Sequence, residues 1–364
     1  MGSGIVVNTV DKLQRNFREK REIKKIRDER RQKIISQVSL TAEQEKDIDR
    51  FFLAHYGKKI PYDWHRLYTA FTGNFHTEYF PELLYIPALE RKLNPAAYVR
   101  AFGDKSMLPR LFSGIDGSRI PKVFVSNTSG AYSSAEDVFV SKEKACDLLY
   151  NAGEVVIKPT VDSNSGKNVR FYRISGNHCE DTNQNISEIL DLYQKDFVVQ
   201  EAVCQHKLLS DLFPNAVNTF RVMTYICDGN VEVCPMGLRI GQGESRVDNA
   251  HAGGMYVGVD NGKLRKQAFT EFRTVYEKHP DTNAVFGGYE IPWYEKIHDV
   301  AKKMHMRIPR LGILSFDFAI DDSGTITIIE VNTCGQAVWF HQEANGEPVF
   351  GKHTADMLKL IAKK

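Results

Sequence analysis

Residues 313–333, ILSFDFAIDDSGTITIIEVNT, constrain the fold more than any other stretch of the chain. They predict two strands joined by a tight turn, because the letters DDSG between two apolar runs are typical turn residues. Alternation along the second strand predicts that Ile326, Ile328 and Glu330 share one face. Asn332 is expected to project the same way as Glu330. The segment therefore predicts an antiparallel hairpin with polar groups at one end.

Three oxygen-bearing side chains lie at that end of the hairpin. Asp317 is in the first strand, and Glu330 and Asn332 close the second. Mg²⁺ prefers a few carboxylate or amide oxygens and completes its shell with water or phosphate oxygens. The hairpin thus indicates a magnesium site next to a phosphate. Taken alone, it leaves open the alternative of an ordinary hairpin with solvated acids.

The composition is that of a soluble globular protein. The chain has 364 residues, 42% hydrophobic and 26% charged, a length typical of two or three domains or lobes. A net charge of +2 gives no indication of a nucleic-acid partner. Six cysteines without a CxxC pair favour reduced thiols, and we find no apolar run near the ~18 residues of a membrane span and no signal peptide. We therefore expect a cytoplasmic protein.

The N-terminal third of the chain is predicted to be helical. Residues 11–35 carry eleven Lys/Arg and five Asp/Glu around a thin stripe of isoleucines, which predicts one charged helix over residues 11–37. A solvated face is the favoured interpretation of this basic helix, and a peripheral membrane contact through residues 11–35 is the alternative. Thr41 with Gln44 predicts the capped start of a second helix. The aromatic-rich residues 60–95 predict short helices and loops that cover a cleft or form a dimer contact.

Beyond residue 153 the pattern changes to strands. Helices are predicted at residues 186–193 and 293–304, the second with a single apolar face. Together with the N-terminal helices, this favours an α+β class with a mostly antiparallel sheet. The predicted strands are EVVIKP, NVRFYRI, DFVVQEAV, NTFRVMTYI, VEVCPMGLRI and GMYVGVD.

A lysine ends the first of these strands. Lys158 follows a β-branched apolar run, and a buried ammonium requires an anionic partner, which a nucleotide phosphate would supply. The small polar loop at residues 162–168 can approach phosphates through its backbone amides, although it lacks the GxxxxGK[ST] pattern. The strand at residues 197–203 can present backbone groups to an adenine ring. Glu201 in it either faces the nucleotide or is a surface acid.

Two later strands each carry an arginine. Arg221 and Arg239 can each bind a phosphate or carboxylate through two hydrogen bonds from the planar guanidinium group. Alternatively, each forms a structural ion pair with a neighbouring acid. The loop at residues 247–254, VDNAHAGG, adds amides, His251 and two glycines. His251 either orients a substrate or is a structural loop histidine.

In this order the features resemble the ATP-grasp superfamily. The stretches GKKI, YFPELLY and DNAHAGG further resemble its sugar-transfer-associated family, found among polysaccharide-biosynthesis genes, over about residues 40–345. The resemblance implies two α+β lobes that enclose a nucleotide, with a helical N-terminal extension. It implies the units 1–95 (extension), 96–150 (start of the N-lobe), 151–205 (small lobe with a phosphate flap) and 206–364 (large lobe with a metal site).

The resemblance also implies roles for individual residues and the cofactors ATP and Mg²⁺. The ribose partner stays open between His206 and Asp211, because no clear acid follows the hinge directly. The implied phosphate ligands are Lys105 and Lys158, with Ser163, Ser165 and Gly166 in the flap; the implied adenine pocket is Gln200, Glu201 and Val203; Arg221 and Arg239 hold phosphate or substrate carboxylate; and Asp317, Glu330 and Asn332 bind Mg²⁺.

The implied reaction joins a small-molecule carboxylate and an amine. The carboxylate attacks the γ-phosphate of ATP, and an amine, from an amino acid or a sugar, then displaces phosphate from the acyl phosphate. A kinase that transfers the γ-phosphate to a sugar or other small acceptor is the alternative. A non-catalytic scaffold is a third hypothesis, which the complete set of lysines and metal ligands disfavours. Substrate identity and oligomeric state stay open, and no nucleic-acid partner is expected.

Overall fold

The computed structural model describes residues 2–161, 168–245, 248 and 253–362, with side chains described from residue 13 onward. A π-helical turn at Tyr85–Leu89 and a 3-10 turn at Lys105–Met107 supplement the α-helices. These helices are α1 (Gly2–Ile26), α2 (Glu29–Ile35), α3 (Ala42–His55), α4 (Asp63–Thr72), α5 (Glu82–Leu84), α6 (Glu90–Leu93), α7 (Ala96–Phe102), α8 (Leu108–Phe112), α9 (Lys142–Leu148), α10 (Ile186–Tyr193), α11 (Lys207–Leu212), α12 (Tyr294–His305), α13 (Trp339–Asn345) and α14 (Thr354–Ile361).

The single helix predicted over residues 11–37 is in fact two helices. α1 ends at Ile26, and Asp28 caps α2 by accepting a hydrogen bond from the backbone N–H of Arg30 at 3.0 Å. An aspartate at this position offers the backbone a competing partner, and this favours a new start over continuation. The capped start at Thr41 is confirmed, because Thr41 and Gln44 exchange side-chain to backbone hydrogen bonds at 2.9 and 3.2 Å.

The predicted strands are present, except that VEVCPMGLRI, predicted as one strand, is two strands, β10 and β11. Further strands precede and follow them. The hairpin predicted at residues 313–333 is confirmed as β15 and β16. The strands are β1 (Ser118–Arg119), β2 (Val123–Thr128), β3 (Ala131–Ser134), β4 (Phe139–Val140), β5 (Gly153–Pro159), β6 (Arg170–Ser175), β7 (His178–Cys179), β8 (Phe197–Glu201), β9 (Thr219–Cys227), β10 (Asn230–Val233), β11 (Gly237–Ile240), β12 (Met255–Asp260), β13 (Lys263–Phe269), β14 (Val275–Tyr276), β15 (Ile313–Ile320) and β16 (Ile326–Asn332).

Within the described chain the strands form two sheets. The larger has nine strands in the order β1-β16-β15-β9-β11-β12-β13-β14, with β10 paired to β9. The smaller has seven, in the order β4-β3-β2-β8-β5-β6-β7, and draws strands from both sides of residue 150. Apart from the parallel pair β1 and β16, the described strand pairs are antiparallel. The α+β prediction with a mostly antiparallel sheet is therefore confirmed.

The strand at the predicted adenine site, β8, lies in the interior of the smaller sheet. β8 pairs with β2 on one side and β5 on the other. Its ladder hydrogen bonds are thus satisfied within the sheet. The backbone is also paired at the C-terminal end of β8. The N–H of Glu201 donates to Lys122 O at 2.9 Å, and the N–H of Ala202 donates to Glu154 O at 3.0 Å.

Alternate residues of β9 face two different hydrophobic clusters. Phe220 and Val222 pack in the cluster that contains the apolar face of α12. Met223 and Tyr225 pack in the cluster that contains residues of α3 and α14. Arg221 has the same parity as Met223 and therefore lies on the face that the N-terminal helices cover. None of the described helices is both long and apolar enough to cross a membrane.

A bulge in the hairpin corrects one prediction. Asp317 lies opposite Glu330 and Phe318 opposite Ile328, so Ile329 is an extra residue in β16. Ile328 therefore points into the hydrophobic core, and Glu330 and Asn332 line a cavity on the other side. The prediction that Ile328 and Glu330 share a face was wrong, because a strict period of two does not survive a bulge.

Candidate active site

One cavity of about 2280 Å³ collects most of the predicted site residues that the structure describes. This volume exceeds the few hundred to one thousand Å³ typical of a single small-ligand pocket. There is room for a nucleotide and further substrates. The predicted residues that line it are Lys105, Lys158, Gln200, Glu201, Val203, Arg221, Arg239, Asp317, Glu330 and Asn332.

Two lysines lie near Glu330. Lys105 approaches Glu330 Oε1 through Nζ at 3.0 Å. Lys158 is buried in β5, and its Nζ donates to Ile329 O at 3.3 Å, which joins the smaller sheet to the larger. Burial lowers the pKa of Lys158 to about 8, although the charge of Glu330 opposes this and the charge of Lys105 adds to it. Two cations of this kind favour an anionic ligand.

Arg221 and Arg239 converge on one carboxylate. Arg221 donates through Nε to Asp317 Oδ1 at 2.5 Å and through Nη2 to Oδ2 at 3.1 Å. Arg239 reaches Asp317 Oδ2 at 3.2 Å. This follows from the sheet order, since β9 lies between β15 and β11 and Asp317 lies opposite Arg221. Burial raises the pKa of Asp317, but the two guanidinium groups outweigh it and hold that pKa below its ordinary value.

Arg239 is supported by two groups whose roles the sequence analysis missed. Its Nη2 donates to Thr219 Oγ1 at 2.7 Å, and its Nε lies 3.5 Å from Asp248 Oδ2. Asp248 also accepts from the N–H of Thr219 at 3.0 Å. Burial raises the pKa of Asp248 despite the nearby Arg239. The run of small residues around Asp248 indicated a special loop, but not this contact.

The Asp317, Glu330 and Asn332 set fits a hard divalent cation in its donor chemistry. Two carboxylates and one amide oxygen suit Mg²⁺, and each carboxylate oxygen keeps a lone pair beyond those used by Arg221, Arg239 or Lys105. The described residues contain no cluster of three His, Cys, Asp or Glu side chains that could hold a metal. A cation here would therefore rely on the amide and on phosphate or water oxygens.

The predicted adenine end of the cavity is mostly apolar. Val156, Phe171 and Ile329 line it with Gln200 and Val203. Gln200 is 1% exposed, and its Oε1 has no hydrogen-bond partner in the described part of the chain. An apolar slot with one buried acceptor suits a flat ring that carries a hydrogen-bond donor.

Glu201 holds the two sheets together. It forms an ion pair with Arg119, which also donates through Nε to Asp321 Oδ2 at 2.5 Å. Glu201 Oε1 also accepts a hydrogen bond from the backbone N–H of Lys122 at 3.0 Å. Because of this bridge Glu201 is not simply a surface acid, and its place in the adenine pocket stays a prediction, since it also lines the cavity. Nothing in the two-residue strand β1 indicated the role of Arg119.

The two ribose candidates do not line the cavity. The ring of His206 packs on Trp293 with centroids 4.8 Å apart, and its Nδ1 accepts from the N–H of Leu208 at 3.2 Å. Asp211 pairs with Lys207 one helical turn away, at 2.6 Å. His206 is thus a helix cap in this structure. Four further predicted residues, Ser163, Ser165, Gly166 and His251, lie outside the described residues.

Comparison with known proteins agrees with this geometry. The model of the family described as "Sugar-transfer associated ATP-grasp" matches residues 87–356. The chain belongs to this family. The family assignment predicted from its sequence is therefore confirmed, and the chain is an ATP-grasp protein. None of the curated proteins compared with the chain matches it.

Solved structures resemble this ATP-grasp chain distantly. They include the ATP-grasp ligase PsnB complexed with minimal precursor, Mg and ADP (11% identity, TM-score 0.43, 74% of this chain and 62% of that chain). VanG D-Ala:D-Ser ligase from Enterococcus faecalis is 14% identical, with TM-score 0.41 and coverage of 71% and 60%. The ADP complex of purK, N5-carboxyaminoimidazole ribonucleotide synthetase, is 13% identical, with TM-score 0.38 and coverage of 65% and 45%. The ATP-grasp chain thus spans 45–62% of these longer proteins.

Proposed function

We propose that the protein is an ATP-dependent carboxylate–amine ligase that joins an amino acid and a sugar or sugar acid in polysaccharide biosynthesis. The observation that carries the proposal is the convergence of two lysines, two arginines and the Asp317, Glu330 and Asn332 set on one cavity. This arrangement suits a triphosphate, because phosphoryl transfer needs charge neutralisation and positioning more than covalent help.

In the proposed first step, Arg221 and Arg239 position the substrate carboxylate. One of its oxygens forms a bond to the γ-phosphorus of ATP, while the bond from phosphorus to the β–γ bridging oxygen breaks and ADP leaves. Lys105 and Lys158 neutralise the phosphate oxygens during this transfer. When bound by Asp317, Glu330 and Asn332, Mg²⁺ would supply further charge neutralisation to the same oxygens.

In the proposed second step, the amine attacks the acyl phosphate. The nitrogen lone pair forms a bond to the acyl carbon, the carbon–oxygen bond to phosphate breaks, and phosphate and a proton are released. The same cationic groups stabilise the departing phosphate. No nucleophilic side chain is needed in either step.

We propose that the reaction takes place in the cytoplasm. ATP is available there, and free cysteines such as the six of this chain stay reduced.

The test is incubation of the full chain with ATP, Mg²⁺ and hydroxylamine across a panel of amino acids and sugar acids. Hydroxylamine traps an acyl phosphate as a hydroxamate, so we expect one carboxylate to give hydroxamate and ADP in equal amounts. ADP with a stable phosphorylated product in the absence of any amine would show a kinase instead. Absence of ADP, hydroxamate and nucleotide binding would contradict the proposal as a whole.

A further inference from the structure

The part of the cavity beneath α1 contains several buried acidic groups. We name it the acidic chamber and define it by Glu22 of α1, Tyr68 of α4, Glu82 of α5, Glu90 of α6 and Glu343 of α13. Each of these side chains is at most 5% exposed. Carboxylates buried to this extent are costly unless hydrogen bonds or cations satisfy them.

In three of the four carboxyl groups, no fully buried oxygen lacks a hydrogen-bond partner within the described chain. Glu22 pairs with Lys25 Nζ at 2.7 Å, and Glu343 accepts the hydroxyl proton of Tyr256 at 2.7 Å. Glu90 accepts a hydrogen bond from the N–H of Gln336 at 3.2 Å. These contacts are those expected of structural buried acids.

Glu82 differs from the other three. Its Oε1 accepts the N–H of Trp339 at 2.8 Å, but its buried Oε2 has no hydrogen-bond partner among the described residues. The hydroxyl of Tyr68, which is fully buried, likewise has none within the described chain. Buried polar atoms are nearly always paired, so two such oxygens lining one cavity indicate a ligand.

The chemistry of the chamber selects the kind of ligand. A carboxylate oxygen and a phenol oxygen both accept hydrogen bonds, and an ammonium group offers three donors and a positive charge. The rings of Trp64, Trp339 and Phe340 line the same region and can pack on a cation or on a sugar ring. We propose that the acidic chamber binds the protonated amino group of the amine substrate through Glu82 Oε2 and the Tyr68 hydroxyl. This inference rests on the proposed ligase function.

A short path connects the chamber to the proposed reaction centre. Gln336 donates through its backbone N–H to Glu90, and through Nε2 to Asn332 O at 2.6 Å. Asn332 belongs to the proposed magnesium set, so one residue separates that set from the chamber wall. The chamber and the two arginines proposed to hold the acyl group, Arg221 and Arg239, line the same cavity.

The charge state of Glu82 would change when a cation binds. Burial raises the pKa of Glu82 to about 8, with the charge of Glu22 adding to the effect and that of Lys25 opposing it. Burial also raises the pKa values of Tyr68, Glu90 and Glu343 in the chamber. A bound ammonium would favour the charged carboxylate, and the proton of Glu82 would go to solvent on binding. Before the attack on the acyl carbon, the ammonium would pass one proton back to Glu82, which frees the nitrogen lone pair.

The experiment measures amine binding to the full chain by calorimetry, with and without ADP and Mg²⁺. The probes are glucosamine, n-butylamine and L-alaninamide, paired with the neutral analogues glucose, 1-butanol and propanamide. We expect at least one amine to bind at least tenfold more tightly than its analogue. Glu82→Gln and Tyr68→Phe should each weaken it at least fivefold, and Glu43→Gln, an exposed site on α3, should not.

Tyr68→Phe keeps the test decisive if Glu82→Gln does not fold. Removing a hydroxyl that has no described partner should leave the unfolding temperature unchanged, so any loss of amine affinity reports ligand contact. ADP should bind all variants equally. Wild-type protein that binds ADP but none of the amines, or amine affinity unchanged in both variants, would overturn the inference and leave the ligase proposal intact. Failure of the wild-type protein to bind ADP would instead refute the ligase proposal.

Discussion

Arg221 donates hydrogen bonds to both carboxylate oxygens of Asp317, with Nε 2.5 Å from Oδ1 and Nη2 3.1 Å from Oδ2. The pair joins the neighbouring strands β9 and β15 of the larger sheet, and both residues line the cavity. A bidentate guanidinium fixes the orientation of its partner as well as its charge. The same fork can therefore orient Asp317 toward a cation and face a substrate carboxylate or phosphate.

Replacement of this arginine tests whether geometry or charge matters. We expect Arg221→Lys to keep the fold and lower kcat/KM at least about 100-fold, in the range seen when one preorganised donor is lost from an active site. Lysine retains the charge but cannot make two parallel contacts. Steady-state ADP release measures the effect. Arg50→Lys, at an exposed ion pair on α3, is the control and should behave like the wild type.

Lys158 predicts a pH dependence of nucleotide binding. Its pKa, lowered to about 8 by burial, means that the free protein loses this charge as the pH rises through 8. ATP affinity should therefore fall above that pH in the wild type, with the transition moved upward by the bound phosphates. Lys158→Arg stays charged and should bind ATP with little change between pH 7 and 9. Identical calorimetric pH profiles for the two proteins would argue against a phosphate contact of Lys158.

Glu330 should control the magnesium requirement. Glu330→Gln replaces one proposed carboxylate ligand by a neutral amide and also removes the anionic partner of Lys105. We expect the Mg²⁺ concentration at half-maximal activity to rise at least about tenfold, equivalent to about 1.4 kcal/mol. Titration of ADP release with Mg²⁺ measures it. Glu347→Gln, at a partly exposed ion pair with Arg265, serves as the control. An unchanged requirement would remove Glu330 from the ligand set.

Local signals in the sequence located the capped start of α3, the helices α10 and α12 and most of the long strands beyond residue 153, but not the short strands before it. The hydrogen bonds exchanged by Thr41 and Gln44 involve neighbours three residues apart, so a capping pattern predicts them directly. Alternation likewise located β15 and β16. It failed at Ile329, because the extra residue of a bulge leaves no mark on composition.

The arrangement of the candidate site depends on contacts between distant parts of the chain. Lys105 meets Glu330 only because the two sheets come together, a relationship that no local pattern encodes. The family resemblance selected both residues, but it did not indicate their ion pair. The buried Glu82 was missed as a candidate because its sequence neighbours predict only a short helix. Its unpartnered oxygen becomes visible only when α1, α4 and α13 enclose it.

Glu82 also predicts a pH dependence of stability. Its pKa is raised from 4.5 to about 8 in the folded chain, whereas the unfolded chain releases the proton near 4.5. Below pH 4.5 both states are protonated. As the pH rises from 4.5 to 8, the unfolded state alone ionises, and the free energy of unfolding decreases by at most about 1.4 kcal/mol per pH unit from this group.

Glu82→Gln removes this contribution, so its free energy of unfolding should fall less steeply than that of the wild type between pH 4.5 and 8. Glu90, whose pKa burial raises to about 7, stays in both proteins and leaves a residual slope in the variant. Urea unfolding at pH 4.5, 6 and 8 measures both curves, with Glu43→Gln as the exposed control. Parallel curves for wild type and Glu82→Gln would mean that Glu82 is already ionised in the folded chain. In that case a cation from α1, such as Lys25, must compensate its charge.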